Sequence, residues 1–297
     1  MESVTLQVVA DYFLYMFHKL DRKVSTIESH RTALSAALGT FEGYSVGNHP
    51  VLTNLIKNLW QERPQTRIRN PDWDVCKVLT SLMGPPFEPP RFDTPEQKKF
   101  TSWKTCFLLA FAKTCRASEL SAFSRDERDL IFQRTGVWMR TIPRFLPKTQ
   151  APSVDPKPFF LPSHEAFTGR DTPDRLLCPV RMLKYYLKFT NGHANEEPLF
   201  RKCKGEGNVG PQTISNWLKH TVEFVYNGHK KPIVKGHEVR KLSASWVFAS
   251  GSQLHDILAA GSWSRQSTFT SHYLVDVQRQ FSGKFRLTPV VCHSKSH

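Results

Sequence analysis

Arg116 lies between two helical patterns, after Thr114-Cys115 and before Ala117-Ser118-Glu119-Leu120. A guanidinium offers a planar fork of donors that matches a phosphate or a carboxylate. Glu119, three residues on, is spaced to hold that fork, although the same spacing also serves a structural pair. His237 and Arg240 are again three apart, in His237-Glu238-Val239-Arg240 after Lys235-Gly236. They share one face near the start of an apolar helix (Val239, Leu242, Trp246, Val247), where anions are favoured. Trp263 carries an indole N–H donor, and Tyr273, ten residues later, carries a phenol. Lys148, in Phe145-Leu146-Pro147-Lys148-Thr149-Gln150, is a loop cation just past a strand-like stretch, a place where lysine is ordinarily solvated. Each has an ordinary reading as a helix-face pair, a core ring or a solvated cation. As a set, the two arginines and the start of the His237 helix offer donors that could meet a phosphate.

These residues need a scaffold. In residues 1–83, Val4, Val8, Val9, Tyr12, Phe13, Met16, Phe17 and Leu20 recur at three- and four-residue steps, which predicts a helix. Ser25-Thr26-Ile27-Glu28 has capping-box spacing for a second helix that ends at Gly39. Pro50 to Trp60 predicts a third, and Asn70-Pro71-Asp72 opens a fourth through Leu82. Gly84-Pro85-Pro86-Phe87-Glu88-Pro89-Pro90 breaks both helix and strand and reads as a linker over 84–93. Thr94-Pro95-Glu96-Gln97 then caps a new helix. Leu130–Gln133 and Val137–Thr141 predict a hairpin, with Phe159–Leu161 a third strand. Helical patterns return at Val180–Phe189, Ser215–Tyr226, His237–Ala249, Leu254–Ala260 and Ser267–Gln280. The expected architecture is mainly α with a small β-sheet. It comprises a helical domain over 1–83, the linker, an α+β domain over 94–280 and a tail over 281–297.

Composition narrows the partners. The 297 residues carry a formal charge of +15. Residues 1–90 balance nine Lys and Arg against nine Asp and Glu, so the surplus lies after residue 90. A strongly basic segment favours a polyanion, because neutralising phosphates releases counterions. No apolar run reaches the roughly 20 residues of a membrane span, and no basic-then-apolar leader opens the chain, which points away from membrane and secretion. The six cysteines lack metal-ligand spacing and read as thiols of a reducing compartment. The usual loops of nucleotide hydrolysis, dinucleotide redox chemistry and zinc proteolysis are missing from the sequence. Neither a metal nor a cofactor is expected.

Taken in order, Arg116, Lys148, His237-x-x-Arg240, Trp263 and Tyr273 resemble the active-site series of the tyrosine recombinases, the phage-integrase family. Thr114-Cys115-Arg116-Ala117-Ser118-Glu119-Leu120 resembles that family's T-G-x-R-x-x-E-L box, and Lys148-Thr149 its hairpin lysine. Ala260-Gly261-Ser262-Trp263 stands where L-G-H is usual, and Ser267-Thr268-Phe269 where S-T-T precedes the nucleophile. The Trp263–Tyr273 interval is one residue longer than the common pattern. That feature and the Phe145–Gln150 segment are similar to recombinases of eukaryotic DIRS-type retrotransposons.

The resemblance implies a core-binding domain at the N-terminus and a catalytic domain after it. It also implies a 3′-phosphotyrosyl intermediate formed by Tyr273 without metal or ATP. Arg116, His237, Arg240 and Trp263 would hold the phosphate, Lys148 would protonate the leaving oxygen, and Glu119 would support Arg116. Double-stranded DNA is the implied partner, bound by a chain that is monomeric when free and tetrameric on DNA. Lys19, Arg22, Lys23 and Arg31 in the first domain, with Lys235 and Lys241 in the second, are candidate phosphate contacts. The tail is expected to dock on a neighbouring subunit, and location would be nuclear if the source is eukaryotic and cytoplasmic otherwise. A non-catalytic DNA-binding protein derived from a recombinase remains open, as does a nicking-closing enzyme of the type IB topoisomerase kind.

Overall fold

The computed structural model describes residues 4–64, 71–146, 158–164, 173–190, 194–227, 232–263, 265–275 and 277. The chain divides into two compact units, Met1–Arg69 and Asn70–His297.

In the first unit, α1 (Leu6–His18), α2 (Val24–Ala37) and α3 (Pro50–Glu62) enclose one core. Phe13, Met16 and Phe17 meet Val24, Ile27, Leu52, Ile56 and Leu59 there. The Thr5 hydroxyl caps α1, and the His49 ring caps α3 with Pro50 in its first turn, where a missing N–H costs nothing. Helix α2 starts at Val24, so Ser25 lies inside it and forms no cap. A small hairpin that the sequence pattern does not predict follows, β1 (Thr40–Phe41) with β2 (Tyr44–Ser45). Glu42 and Gly43 turn it with φ of 51° and 82°, the positive values a two-residue hairpin loop demands. Arg31 secures this hairpin by donating to the Val46 and Gly47 carbonyls and to Thr53 Oγ1. Its guanidinium is half-buried, with Nε and Nη2 bonded within the unit. Lys19, Arg22 and Lys23 are exposed at the α1–α2 turn.

The second unit begins before the expected boundary. Helix α4 (Val75–Leu82) is capped by Asp74 rather than opened by Pro71. It buries Val75, Val78, Leu79 and Leu82 in the second unit's core. An apolar stripe does not say which core it joins. The long-range bonds decide, since Trp73 Nε1 donates to Glu238 Oε2 at 3.0 Å and the Asp74 N–H donates to Tyr226 Oη at 2.7 Å. The proline-rich segment is equally part of this unit. Phe87 is fully buried between Phe100 and Phe224, and the Glu88 carboxylate pairs with Lys104 and Arg181.

At the centre runs α5 (Pro95–Lys113), started by the expected Thr94–Gln97 capping box. Between Phe100 and Ala112 it is buried on nearly every side, as a helix enclosed by others must be. The enclosing helices are α7 (Pro179–Phe189), α8 (Pro211–Val225) and α9 (Glu238–Ala249). The short α6 (Ala117–Ser121) rests on α8. The expected antiparallel sheet forms as β3 (Leu130–Phe132), β4 (Gly136–Met139) and β5 (Phe159–Pro162), in that order. Lys148 and the tail 281–297 lie outside the described residues. Helices α10 (Leu254–Ala260) and α11 (Gln266–His272) follow, and α11 stops before Tyr273 instead of running to Gln280. The architecture is mainly helical with small sheets. No helix among the described residues is long and apolar enough to cross a membrane.

Candidate active site

The site starts where α5 ends. Thr114 takes left-handed dihedrals (φ 51°, ψ 34°), the conformation that closes many helices and that glycine adopts most readily. The chain turns there, and Arg116 becomes the N-cap of α6. Glu119 accepts from the Arg116 backbone N–H at 2.8 Å and from Arg116 Nη1 at 2.6 Å. Its other neighbour is Arg240, whose Nη1 lies 3.5 Å from Glu119 Oε2. One carboxylate therefore holds two guanidiniums that would otherwise repel each other.

Arg240 projects from the first turn of α9 and is only 2% exposed. Its Nη2 donates to the Gly261 carbonyl, while Nε and Nη1 have no hydrogen-bond acceptor among the described residues. Burial works against its positive charge and so does Arg116, with Glu119 opposing them. A buried cation with donors to spare is costly unless an anion completes it.

Two rings close the site. The Arg240 guanidinium carbon lies 4.4 Å from the Trp263 ring centroid and 5.1 Å from that of Tyr273, and the two rings are 4.7 Å apart. Trp263 is buried, and its indole N–H also lacks an acceptor among the described residues. Phe269 of α11 packs on Trp263, so the Tyr273 helix is keyed to the Trp263 turn. Gly261 makes this turn possible, because a Cβ there would overlap the Trp263 ring.

His237 is the N-cap of α9, one turn ahead of Arg240, and is exposed. Among the described residues its ring makes no hydrogen bond or ion pair with the other site residues. Partial burial of the ring, followed by the charges of Lys241 and Lys235, pushes its pKa below the ordinary imidazole value against the pull of Glu238. The shift favours the neutral ring, which has a nitrogen able to accept a proton. Lys235 is exposed and Lys241 half-buried, so both flank His237.

Arg116, Glu119, Arg240, Trp263 and Tyr273 are thus brought together, with His237 on the adjacent turn. Tyr226 is engaged elsewhere, with the Asp74 N–H and under Lys77. Cys115 is no rival nucleophile, since burial and the Glu119 charge push its thiol up to about 12. Several supports carried no sequence signal. Glu238 fixes the turn before α9 by accepting from Trp73 Nε1 and from the Lys235 N–H. Lys113 Nζ donates to the Ala260 carbonyl at 2.9 Å and covers the Phe159 ring, joining α5 to both the Gly261 turn and β5.

Solved structures share its fold. The Tn1549 transposon integrase in complex with circular intermediate DNA aligns over 94% of this chain and 84% of its own, with a TM-score of 0.57 at 14% identity. A lambda integrase dimer bound to a COC′ core site aligns over 94% of this chain and 82% of its own, with a TM-score of 0.51 at 12% identity. The fold is similar to that of these two integrases. By sequence, neither a protein-family model nor a curated protein matches the chain. At such low identity the likeness is one of backbone.

Proposed function

We propose that this chain is a site-specific DNA recombinase that cleaves and rejoins strands through Tyr273. The observation that carries the reading is the contact of one buried, donor-rich guanidinium, Arg240, with the Tyr273 and Trp263 rings and the Arg116–Glu119 pair. The Tyr273 phenol oxygen attacks a backbone phosphorus, and the P–O5′ bond breaks. The product is a 3′-phosphotyrosyl link and a free 5′-hydroxyl. Arg116, Arg240 and the Trp263 N–H bind the non-bridging oxygens, whose charge grows in the transition state. Neutral His237 accepts the phenol proton, and Lys148 protonates the departing 5′-oxygen. The covalent link conserves the phosphodiester energy, so a second 5′-hydroxyl can reverse the step. Lys235 and Lys241 beside the site, and Lys19, Arg22 and Lys23 on the first unit, contact DNA phosphates, and four chains act on two duplexes.

The test is covalent trapping on a pool of nicked, random-sequence duplexes, with denaturing washes and peptide mapping of the adduct. Wild type is expected to form an adduct at Tyr273, and Tyr273→Phe, which keeps the ring packed on Arg240, to form none. An adduct on another tyrosine would reassign the nucleophile. Salt-sensitive binding with no adduct would establish a DNA-binding protein without the chemistry.

Gly261→Ala tests the Trp263 turn. The added methyl displaces the indole and with it the carbonyl that holds Arg240. Losing one fixed donor of this kind is expected to slow adduct formation by about 100- to 1000-fold. A rate equal to wild type would show that the turn has no part in the reaction.

A further inference from the structure

Tyr273 follows the last residue of α11, where a helix leaves carbonyls without intrahelical partners. What meets its backbone is a side chain from another helix. Ser245 Oγ donates to the Tyr273 carbonyl at 3.0 Å and accepts from the Val275 N–H at 2.9 Å. Ser245 is 1% exposed, and Val275 and Val277 beyond it are also buried. A serine hydroxyl has one proton to give and lone pairs to spare, so a single residue ties down the backbone on both sides of Leu274. Ser245 and Arg240 stand on the same helix, five residues and so about 7.5 Å apart along its axis. Helix α9 thereby fixes both the phosphate-binding guanidinium and the peptide that carries the phenol.

We propose that Ser245 is the positioning residue of the nucleophile, a two-point latch that sets the reach of Tyr273 toward the phosphate held by Arg240. The inference rests on the recombinase reading above. Without the hydroxyl, a half-buried carbonyl and a buried N–H lose their partners and shift toward new ones. The shift is transmitted to Tyr273 directly, while the Arg116–Glu119–Arg240 cluster has its own supports.

The experiment separates the placing of Tyr273 from the rest of the site. Two reactions are run on the duplex recovered by trapping, with wild type, Tyr273→Phe, Ser245→Ala and Ser245→Thr. The first is adduct formation on the nicked duplex. The second joins a strand whose 3′-phosphate is esterified with 4-nitrophenol. There the 5′-hydroxyl oxygen attacks phosphorus, the P–O bond to the nitrophenyl group breaks, and 4-nitrophenol leaves as the hydroxyl loses its proton. Measured in the Tyr273→Phe background, where no phenol can attack the ester first, this second reaction uses the arginines but not Tyr273.

Ser245→Ala is expected to lose about 10- to 100-fold in adduct formation, the cost of misplacing a reacting group by about 1 Å. Added to Tyr273→Phe, it should leave joining of the nitrophenyl ester unchanged, and Ser245→Thr, which restores the hydroxyl, should recover adduct formation. Unchanged adduct formation in Ser245→Ala overturns the latch, and so does an equal loss in both reactions, which would mark a general structural role. If Ser245→Ala does not fold, Ser245→Cys, with a weak donor in nearly the same volume, takes its place under the same criteria. Failure of wild type to form any adduct overturns the recombinase reading and the latch with it.

Discussion

Arg240→Ala is expected to slow adduct formation by on the order of 1000-fold or more, because it removes fixed donors from where negative charge develops. Arg240 touches Glu119, the Gly261 carbonyl, and the Trp263 and Tyr273 rings, and so ties the parts of the site to one another. Its loss should therefore act twice, by withdrawing Nε and Nη1 from the phosphate and by leaving the two rings without the cation that lies against them. Arg240→Lys should recover little of the rate. A lysine keeps the charge but offers a single ammonium, which cannot bond the Gly261 carbonyl, face Glu119 and still present a fork to the phosphate. Single-turnover adduct formation on a trapped duplex measures both variants. Binding of the same duplex should weaken far less, since many phosphate contacts share the affinity. An Arg240→Ala variant with near-wild-type adduct formation would remove the central argument for the site.

The sequence made this cluster legible because its members differ in type and follow one order along the chain. Arg116, His237-x-x-Arg240, Trp263 and Tyr273 are each ordinary when taken alone. The Thr94 cap of α5 and the three strands were equally legible, since capping and alternation are local signals. Signals between distant residues were not. Nothing in the local pattern around Ser245 distinguishes it from Ser243 two residues earlier, whose hydroxyl donates to the Phe111 carbonyl. The Trp73–Glu238 bond spans 165 residues, and without it the apolar face of α4 fits either unit. That is why the boundary expected near residue 90 falls at 69/70. Composition misled in one further place: prolines rule out helix and central strand, but they do not rule out a segment packed into the core.

That segment supports the largest expected effect on stability. Glu88→Gln is expected to cost about 3–5 kcal/mol, because it leaves the ammonium of Lys104 buried without its counter-charge. Lys104 is fully buried, its Nζ bonded to the Leu82 carbonyl and to Glu88. Arg181 grips the same carboxylate with Nη1 at 2.7 Å and Nη2 at 3.1 Å. Burial alone would raise the Glu88 pKa, yet the Arg181 hydrogen bond and the Lys104 charge outweigh it and hold the carboxyl below its ordinary value. A carboxyl so lowered contributes stability above its unfolded pKa and loses it as pH falls through the folded one. Urea unfolding of Glu88→Gln should therefore show a lower midpoint at neutral pH and a flatter decline in acid than wild type. Lys104 is pushed down to about 8 by burial even with Glu88 beside it. In the variant it should shed its proton more readily, so the deficit should shrink in alkaline buffer. A second substitution, Lys104→Met, removes the stranded charge and should restore part of the loss, since an apolar side chain of similar length can replace a buried ion. Equal midpoints for wild type and Glu88→Gln at neutral pH would mean that Phe87, not the charge cluster, fastens the proline segment to α5.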